Sequence, residues 1–297
     1  MQGLFNECNN LKEIKGINSF NTIKVKNMNV LFQGCKSIEY LDLSNFNTFN
    51  VSDMHGMFSK CNKLKKIKGI NNFNTTNVIN MESIFNECSK LEYLDLSNFI
   101  TEKVTTMGLM FNRCNKLKEI IGINNFNTKN VMNMRGMFSE CNELTYLDLY
   151  NFNTEKVSNM QFMFNKCYKL AIIIGINEFN TKNVINMDAM FQDCFELEYI
   201  DLSNFNTSNV LSMQQMFNRC IKLKEIIGIK NFITMKVQNM SYIFQLCKEL
   251  QCLDLSNFNT SNTNNMEFMF TKCYKLKQIK GIENFNTNKV QNMCAMF

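Results

Sequence analysis

Two patterns of hydrophobic and polar residues alternate along the chain. The segment 51–61 reads VSDMHGMFSKC, and its apolar residues recur at the spacing that places them on one side of an α-helix. The stretch 40–43, YLDL, instead alternates polar and apolar residues with a period of two, which is typical of a half-buried strand. The patterns therefore predict a short amphipathic helix and a short strand, one after the other.

Both patterns return at fixed intervals through the whole sequence. One Phe of the helical pattern marks each copy, and successive copies are separated alternately by 27 and 26 residues. The marker residues are Phe5, Phe32, Phe58, Phe85, Phe111, Phe138, Phe164, Phe191, Phe217, Phe244, Phe270 and Phe297. Short repeats continue as IEYLDLSNFNT (38–48), whereas long repeats read LKEIKGINSFNT (11–22), with one extra residue next to Gly. The underlying period is therefore a pair of repeats, and periods of this size indicate a repeat architecture.

One helix and one strand of this length cannot bury their apolar faces alone, so successive repeats must stack with their strands parallel. We therefore predict an α/β fold: a solenoid, shaped as a horseshoe or arc, with a parallel inner sheet and short outer helices. Residues 1–297 are expected to form a single array of about eleven repeats of 26 or 27 residues. Because both ends cut through the helical pattern, we expect a fragment of a longer protein.

Composition excludes most chemistry. The chain holds one histidine, His55, and no phosphate loop, nucleophile elbow or dinucleotide fingerprint, so the sequence predicts no enzyme and no cofactor. The net charge of +6 is scattered without a basic cluster, so no nucleic-acid partner is expected. No stretch reaches the roughly 18 consecutive apolar residues of a membrane span, and no signal-peptide pattern begins the chain.

Thirteen cysteines are present, and all but Cys252 and Cys294 occupy one repeat position. Their spacing lacks the short C-x₂-C pairs of zinc sites, so we predict no metal site and interpret the column as buried, reduced thiols. A Met column beside the Phe column is interpreted as core filling. The Asn residues of the NFNT turn, such as Asn47, Asn153 and Asn206, are expected to bond the backbone of adjacent turns.

The segment 38–47 resembles the leucine-rich repeat, with Phe46 where Asn or Cys is usual, and this resemblance implies that the predicted α/β solenoid is of the leucine-rich-repeat type. More specifically, FNTSNV (205–210) followed by SMQQMFNRC (212–220) resembles the BspA-like leucine-rich-repeat surface proteins. That resemblance covers the whole chain and implies a surface or extracellular protein with a binding or adhesive role and no catalysis. The alternative is a cytoplasmic leucine-rich-repeat scaffold for protein–protein interaction, which the reduced thiols and the missing signal peptide favour.

The outward positions of the strands carry the variation. Toward the N-terminus, Lys and Asp alternate on neighbouring strands and predict a cross-strand charge ladder. Between residues 119 and 227, Ile replaces Lys and lies among Tyr and Asp, a composition typical of protein-binding surfaces. We predict that the concave sheet face binds a protein or glycan there, through Ile121, Tyr146, Asp148, Ile172, Ile174, Tyr199, Asp201 and Ile227. Strand propensity with repeat drift, or cover by sequence outside the chain, are the competing explanations.

Overall fold

Short strands, 3₁₀ helices and turns make up the computed structural model, which describes residues 1–297. The ten strands are β1 Tyr40–Asp42, β2 Lys66–Lys68, β3 Tyr93–Asp95, β4 Glu119–Ile121, β5 Tyr146–Asp148, β6 Ile172–Ile174, β7 Tyr199–Asp201, β8 Glu225–Ile227, β9 Cys252–Asp254 and β10 Gln278–Lys280. The six 3₁₀ helices span Ile17–Ser19, Ile70–Asn72, Ile123–Asn125, Ile176–Glu178, Ile229–Asn231 and Ile282–Asn284. No helix has the length and apolar character needed to cross a bilayer.

The chain divides into two compact units, an N-terminal unit of Met1–Leu144 and a C-terminal unit of Thr145–Phe297. Within each unit the chain winds in successive coils, one coil for each sequence repeat. The N-terminal unit holds β1 to β4, and the C-terminal unit holds β5 to β10. Each unit is a parallel β-solenoid of the leucine-rich-repeat type, as the repeat pattern predicts.

Parallel pairing joins each short-repeat strand to the strand of the following long repeat. In the C-terminal unit β5 pairs with β6, and Tyr146, Leu147 and Asp148 stand opposite Ile172, Ile173 and Ile174. The pairs β1–β2, β3–β4, β7–β8 and β9–β10 have the same register. Parallel pairing between consecutive repeats is therefore confirmed.

The predicted single inner sheet is wrong, because the ladder stops after the long-repeat strand and the strands form two-stranded sheets. The extra residue of the long repeat lies at this point. After β6 the backbone at Gly175 takes a left-handed conformation, with φ of 80°, and enters a 3₁₀ helix. Side chains connect the coils there instead: the Asn204 amide donates to the Asn177 carbonyl at 2.7 Å.

The predicted outer helices are also wrong. In the segment 51–61, alternate backbone N–H groups donate to the next coil, Met54 to the Asn80 carbonyl at 3.1 Å and Phe58 to the Ile84 carbonyl at 2.9 Å. Between them, the His55 N–H donates to the Asp53 side chain at 2.9 Å, and from residue 57 onward the intervening N–H groups bond the carbonyl three residues back. Lys60 has a φ of 60°. An α-helix requires negative φ and a bond from every N–H to the carbonyl four residues back. The segment is therefore a run of turns, and the termini, which share its pattern, have no helix either.

A continuous parallel ladder lies beside these turns, on the side where the helices were predicted. It consists of single bridges between successive coils. In the N-terminal unit it runs through Asn27, Asp53, Asn80, Thr106 and Asn133. In the C-terminal unit it runs through Asn159, Asn186, Ser212, Asn239, Asn265 and Asn292. Backbone pairing between coils is thus continuous within each unit, but not at the strands.

The Met and Phe columns form the core, as predicted from their spacing. Their side chains are fully buried through most of both units. The Phe rings stack coil on coil: the centroids of Phe32 and Phe58 are 5.7 Å apart, and those of Phe164 and Phe191 are 5.5 Å apart. The interior therefore consists of columns of identical side chains, each column packed by its own repetition.

The cysteine column lies in the same core. All thirteen cysteines are free, and those in the column are buried except Cys8 and Cys273, which are half-buried. Cys252 and Cys294 are exposed. The predicted burial of the column is confirmed away from Cys8 and Cys273, and no column cysteine forms a disulfide.

Threonine connects adjacent turns, and the second Asn of the NFNT turn does not, contrary to the prediction. The first Asn does reach the preceding coil, as Asn204 does at the Asn177 carbonyl. Buried Thr207 donates from Oγ1 to the Ile233 carbonyl at 3.0 Å and accepts from the Ile233 N–H at 2.7 Å. Asn206 accepts locally from the Ser208 N–H at 3.0 Å. The Asn just before the buried Val does reach the preceding coil, since Asn209 donates to the Lys182 carbonyl at 2.8 Å. Asn47 and Asn153 also make local bonds, to the N–H two residues on.

Candidate binding surface

The strands hold all eight candidate residues with their side chains outward. The residue between each outward pair is buried, as Leu147 and Ile173 are, so the predicted alternation is confirmed. The six apolar candidates are exposed, and Ile172 is the most exposed Ile among them at 55%. Asp148 and Asp201 are half-buried. Strand geometry therefore directs large apolar side chains into solvent.

Seven of the eight residues belong to the C-terminal unit, where they occupy neighbouring strands. We call this surface the strand face; it comprises Tyr146 and Asp148 on β5, Ile172 and Ile174 on β6, Tyr199 and Asp201 on β7, and Ile227 on β8. The eighth residue, Ile121, lies on β4 of the N-terminal unit, at the repeat position that Ile174 and Ile227 occupy in theirs. It is exposed on its own unit.

A groove of about 680 Å³ crosses the strand face between β6 and β7. Its walls include Ile172 and Ile174 on one side and Tyr199 and Asp201 on the other, and buried Ile173 and Ile200 also line it. The groove lies where the backbone ladder stops. The groove was not predicted from the sequence, because strand alternation alone predicts an unbroken sheet. The sequence feature that marks the groove is the extra residue beside Gly175.

The carboxylates of the strand face have no cationic partner. Asp148 accepts from the Tyr150 N–H at 3.2 Å, and Asp201 accepts from the Ser203 N–H at 2.9 Å. Directly opposite them on the paired strands stand Ile174 and Ile227. One oxygen of each carboxylate thus closes a turn, and the other is left for solvent or a ligand.

The equivalent position of the N-terminal unit is different. Asp42 stands opposite Lys68, and the Lys68 ammonium lies 2.8 Å from the Asp42 carboxylate. Hydrogen bonds from Lys68 and from Ser44 lower the pKa of Asp42 to about 2. This pair is one rung of the charge ladder predicted from sequence, and the ladder does not continue, because Asp95 accepts from Ser97 and Asn71 instead of from a Lys. Replacement of Lys by Ile removes the pair from the strand face.

Tyr199 is held in place by its neighbours. The Lys224 ammonium lies 5.4 Å from the centroid of the Tyr199 ring and binds the Glu198 carboxylate at 2.6 Å. A cation over an aromatic face is attracted by the ring quadrupole. The ring therefore has a restrained position at the edge of the groove, and the charge of Lys224 is matched by Glu198.

A second row of charged side chains was not predicted from the sequence. These residues have a positive φ and lie in the turns just before the column cysteines. The Arg113 guanidinium lies between two carboxylates, with Nη1 3.6 Å from Oε1 of Glu87 and Nε 3.4 Å from Oε1 of Glu140. Nε of Arg219 lies 2.7 Å from Oδ1 of buried Asp193. Burial raises the pKa of Asp193 although Arg219 opposes this. The sequence feature that marks this row is an alternation of acidic and basic residues just before the column cysteines.

No group of three or more His, Cys, Asp or Glu side chains is arranged to hold a metal ion.

Coils joined by parallel pairing around stacked side-chain columns define a repeat protein of the solenoid class. The chain belongs to the family described as "Mycoplasma protein of unknown function, DUF285", whose matches span residues 1–121, 79–197, 147–229 and 221–297. No curated protein sequence matches the chain.

Several solved structures are similar to it. A leucine-rich cell surface protein from Faecalibacterium prausnitzii shares 16% identity at a TM-score of 0.42, over 85% of this chain and 75% of that one. A leucine-rich repeat protein from Bacteroides ovatus shares 17% identity at a TM-score of 0.36, over 88% and 81% of the two chains. A leucine-rich repeat protein from Eubacterium ventriosum shares 14% identity at a TM-score of 0.38, over 86% and 70%.

Proposed function

We propose that the chain is a non-catalytic protein-binding module that contacts its partner through the strand face of the C-terminal unit. The observation that carries this proposal is the exposure of Ile172, Ile174 and Tyr199 around one groove. Apolar and aromatic side chains that line a concavity supply most of the energy in protein interfaces. Ile121 adds a similar exposed side chain on the N-terminal unit.

Strand propensity does not account for these residues. In the N-terminal unit β2 has the sequence Lys-Ile-Lys at 66–68, and it pairs with β1 in the same register as β6 pairs with β5. The same strand pairing therefore forms with Lys at the positions equivalent to Ile172 and Ile174. Because Lys is far better hydrated than Ile, the presence of Ile on an exposed face supports a binding role.

The resemblance to BspA-like surface proteins supports a place at the cell surface and a role in adhesion or recognition. A cytoplasmic scaffold is the second candidate, favoured by the exposed free thiols of Cys252 and Cys294. Free thiols persist in reducing compartments. The two candidates differ in compartment and not in the surface that binds.

The test is a pull-down with the full chain against surface-matrix and cytosolic extracts. A double variant, Ile172→Lys with Ile174→Lys, reproduces the β2 sequence and should fold normally. The matched control, Ile23→Lys with Ile79→Lys, changes two exposed Ile residues of the N-terminal unit. We expect the wild type and the control to retain the same partner, and the double variant to bind the purified partner about 10-fold or more weakly.

Equal affinity of the purified partner for the wild type and the double variant would overturn the proposal. Circular dichroism and a urea unfolding curve of each variant confirm that folding is unchanged. Labelling of intact cells with a membrane-impermeant maleimide distinguishes the two compartments, because Cys252 is exposed in the folded chain. Labelling supports the surface protein, and its absence, with labelling restored in lysed cells, supports the scaffold.

A further inference from the structure

A second groove lies in the C-terminal unit, away from the strands. Its volume is about 670 Å³, and turns of four successive coils form it. Leu211 and Val290 are its apolar residues, and every other residue that lines it is Lys, Asn or Gln. We call this surface the turn groove, and its polar residues include Lys236, Gln238, Asn262, Asn264, Lys289 and Gln291.

The lysines of the turn groove have no acidic partner. The Lys236 ammonium donates to the side-chain oxygen of Asn209 at 2.7 Å, and the Lys289 ammonium donates to that of Asn262 at 2.6 Å. An amide oxygen carries no net charge, so these hydrogen bonds orient the ammonium groups without neutralising them. The four turns, at 206–212, 233–239, 259–265 and 286–292, contain no Asp or Glu. The groove therefore carries a net positive charge.

Lysines in earlier turns of the same kind are neutralised. The Lys182 ammonium lies 2.7 Å from the Glu155 carboxylate, and Lys129 forms the equivalent salt bridge with Glu102. Acidic residues at the positions of Glu102 and Glu155 are absent from residue 206 onward, where Ser208, Met235, Ser261 and Asn288 replace them. Unmatched positive charge is thus a local feature of the turn groove and not a property of every turn.

A row of side-chain amides lies beside these cations. The Asn264 N–H donates to the Gln238 carbonyl at 2.9 Å, and the Gln291 N–H donates to the Asn264 carbonyl at 2.8 Å, so the backbone holds the three residues in register on successive coils. Their side chains are exposed and make no hydrogen bond within the protein. Ile185 and Leu211 occupy the same position in the two preceding coils. Free amides therefore begin where the unmatched lysines begin.

The two features together define the chemistry of a ligand. Lys supplies a point charge for a sulfate or a carboxylate. A side-chain amide both donates and accepts hydrogen bonds, and a hydroxyl group does the same. No aromatic residue lines the groove, so it lacks the stacking platform for single-stranded nucleic acid and the anchors that dominate protein interfaces. A polymer rich in hydroxyl groups and carrying negative charge fits these properties.

We propose that the turn groove binds an anionic polysaccharide. Lys236 and Lys289 contact its sulfate or carboxylate groups, and Gln238, Asn264 and Gln291 form hydrogen bonds with its hydroxyl groups. The site is separate from the strand face and does not depend on the protein-binding role proposed for that face. The net charge of +6 favours the approach of any polyanion, whereas the unmatched lysines and the amides select the groove.

The test measures binding of the full chain to fluorescein-labelled octasaccharides by fluorescence anisotropy. A heparin octasaccharide carries sulfates, a galacturonate octasaccharide carries only carboxylates, and maltooctaose is the uncharged control. We expect one or both of the charged sugars to bind, with an affinity that falls as salt is added, and maltooctaose not to bind. Preference between the two identifies the anionic group that the lysines contact. Failure of both charged sugars to bind would overturn the inference.

The lysines are tested by the double variant Lys236→Gln with Lys289→Gln. It should bind the charged sugar about 5-fold or more weakly and show less salt dependence, because two ion pairs are lost. The matched control, Lys129→Gln with Lys182→Gln, removes the same net charge at lysines that Glu102 and Glu155 already neutralise, and it should bind as the wild type does. Equal losses in the two variants would mean that net charge alone attracts the sugar, and the site would be wrong.

The amides are tested by the triple variant Gln238→Ala, Asn264→Ala and Gln291→Ala. No charge and no hydrogen bond within the protein is removed, so circular dichroism and urea unfolding should match the wild type. We expect binding about 5-fold or more weaker, with the salt dependence unchanged. Unchanged affinity contradicts the proposed contacts. A labelled octaglutamate peptide is the last comparison, and binding as tight as that of the charged sugars would assign the groove to acidic polypeptides instead.

Discussion

The thiol of Cys114 donates a hydrogen bond to the main-chain carbonyl of Phe85 in the preceding coil, with an Sγ–O distance of 3.1 Å. Both side chains are fully buried. Cys61 makes the same contact with Phe32, and Cys88 makes it with Phe58. Each column thiol therefore fills a small apolar space and also gives a partner to a carbonyl that is cut off from water.

Thiol labelling should separate the cysteines into groups. In the native full chain at neutral pH, a maleimide should react first with exposed Cys252 and Cys294, more slowly with half-buried Cys8 and Cys273, and with the buried column only after unfolding. Mass spectrometry of proteolytic peptides locates the label. A chain fully labelled in urea is the control, and rapid native labelling of Cys114 would contradict the structure.

The column should also make the protein sensitive to alkali. Burial raises the pKa of Cys114 from the ordinary 9.0 to about 12, so the folded state keeps a proton that the unfolded chain releases. The stability from this difference is complete below pH 9 and is lost as the pH rises towards 12. Urea midpoints should be constant from pH 7 to 8 and fall by pH 9.5, before most Tyr and Lys side chains titrate. A midpoint unchanged at pH 9.5 would show that these thiols titrate normally.

The stability of the protein should depend on the hydroxyl of Thr207 more than on its methyl group. Thr207→Val keeps the shape but leaves the N–H and carbonyl of Ile233 without their partner. The free energy of unfolding should fall by about 1–3 kcal/mol, the cost of leaving buried polar groups unpaired. Thr207→Ser, which retains the hydroxyl, should lose clearly less in urea unfolding. The reverse order of the two variants would exclude the hydrogen bonds as the cause.

Gly175 should not tolerate a side chain. Its φ is 80°, and a Cβ atom there would lie 2.4 Å from the Cα atom of Tyr150 in the preceding coil. Gly175→Ala should lower the free energy of unfolding by about 2 kcal/mol or more, through left-handed strain and overpacking against backbone. Urea unfolding measures the change.

The matched control for that prediction is Gly56→Ala. Gly56 also has a positive φ, of 58°, but equivalent coils place Ser83 and Ala189 in the same conformation. The cost at Gly56 should therefore be clearly smaller than at Gly175. Equal losses at the two positions would mean that backbone conformation alone, without the contact to Tyr150, sets the effect.

The segment 51–61 shows why the local pattern of apolar residues was insufficient to predict the type of secondary structure. Consecutive turns bonded three residues back bury residues at a spacing close to the 3.6 of an α-helix, so the burial of Met54 and Phe58 was predicted correctly from the wrong element. What distinguishes the two is the partner of each N–H. The Phe58 N–H bonds the Ile84 carbonyl, 26 residues away along the chain, and no local periodicity reports such a bond.

The candidate binding surface was likewise predicted only in part from the sequence. Alternation along β5 and β6 was enough to predict that Tyr146 and Ile172 point outward and that Leu147 and Ile173 are buried. The groove beside Ile172 depends on where the ladder breaks between coils, and that break follows from the path of the chain after Gly175. The missing counter-ion of Asp148 follows from register, which sets Ile174 opposite it.

The sequence alone determined the repeat, the parallel stacking and the identity of the buried columns, because an apolar side chain recurring at one position in every coil has to pack on its own copies. Tertiary structure decided the turns in place of helices, the breaks in the sheet and the groove. These features depend on hydrogen bonds between coils, and the energy of such a bond is set by a neighbour about 26 residues distant.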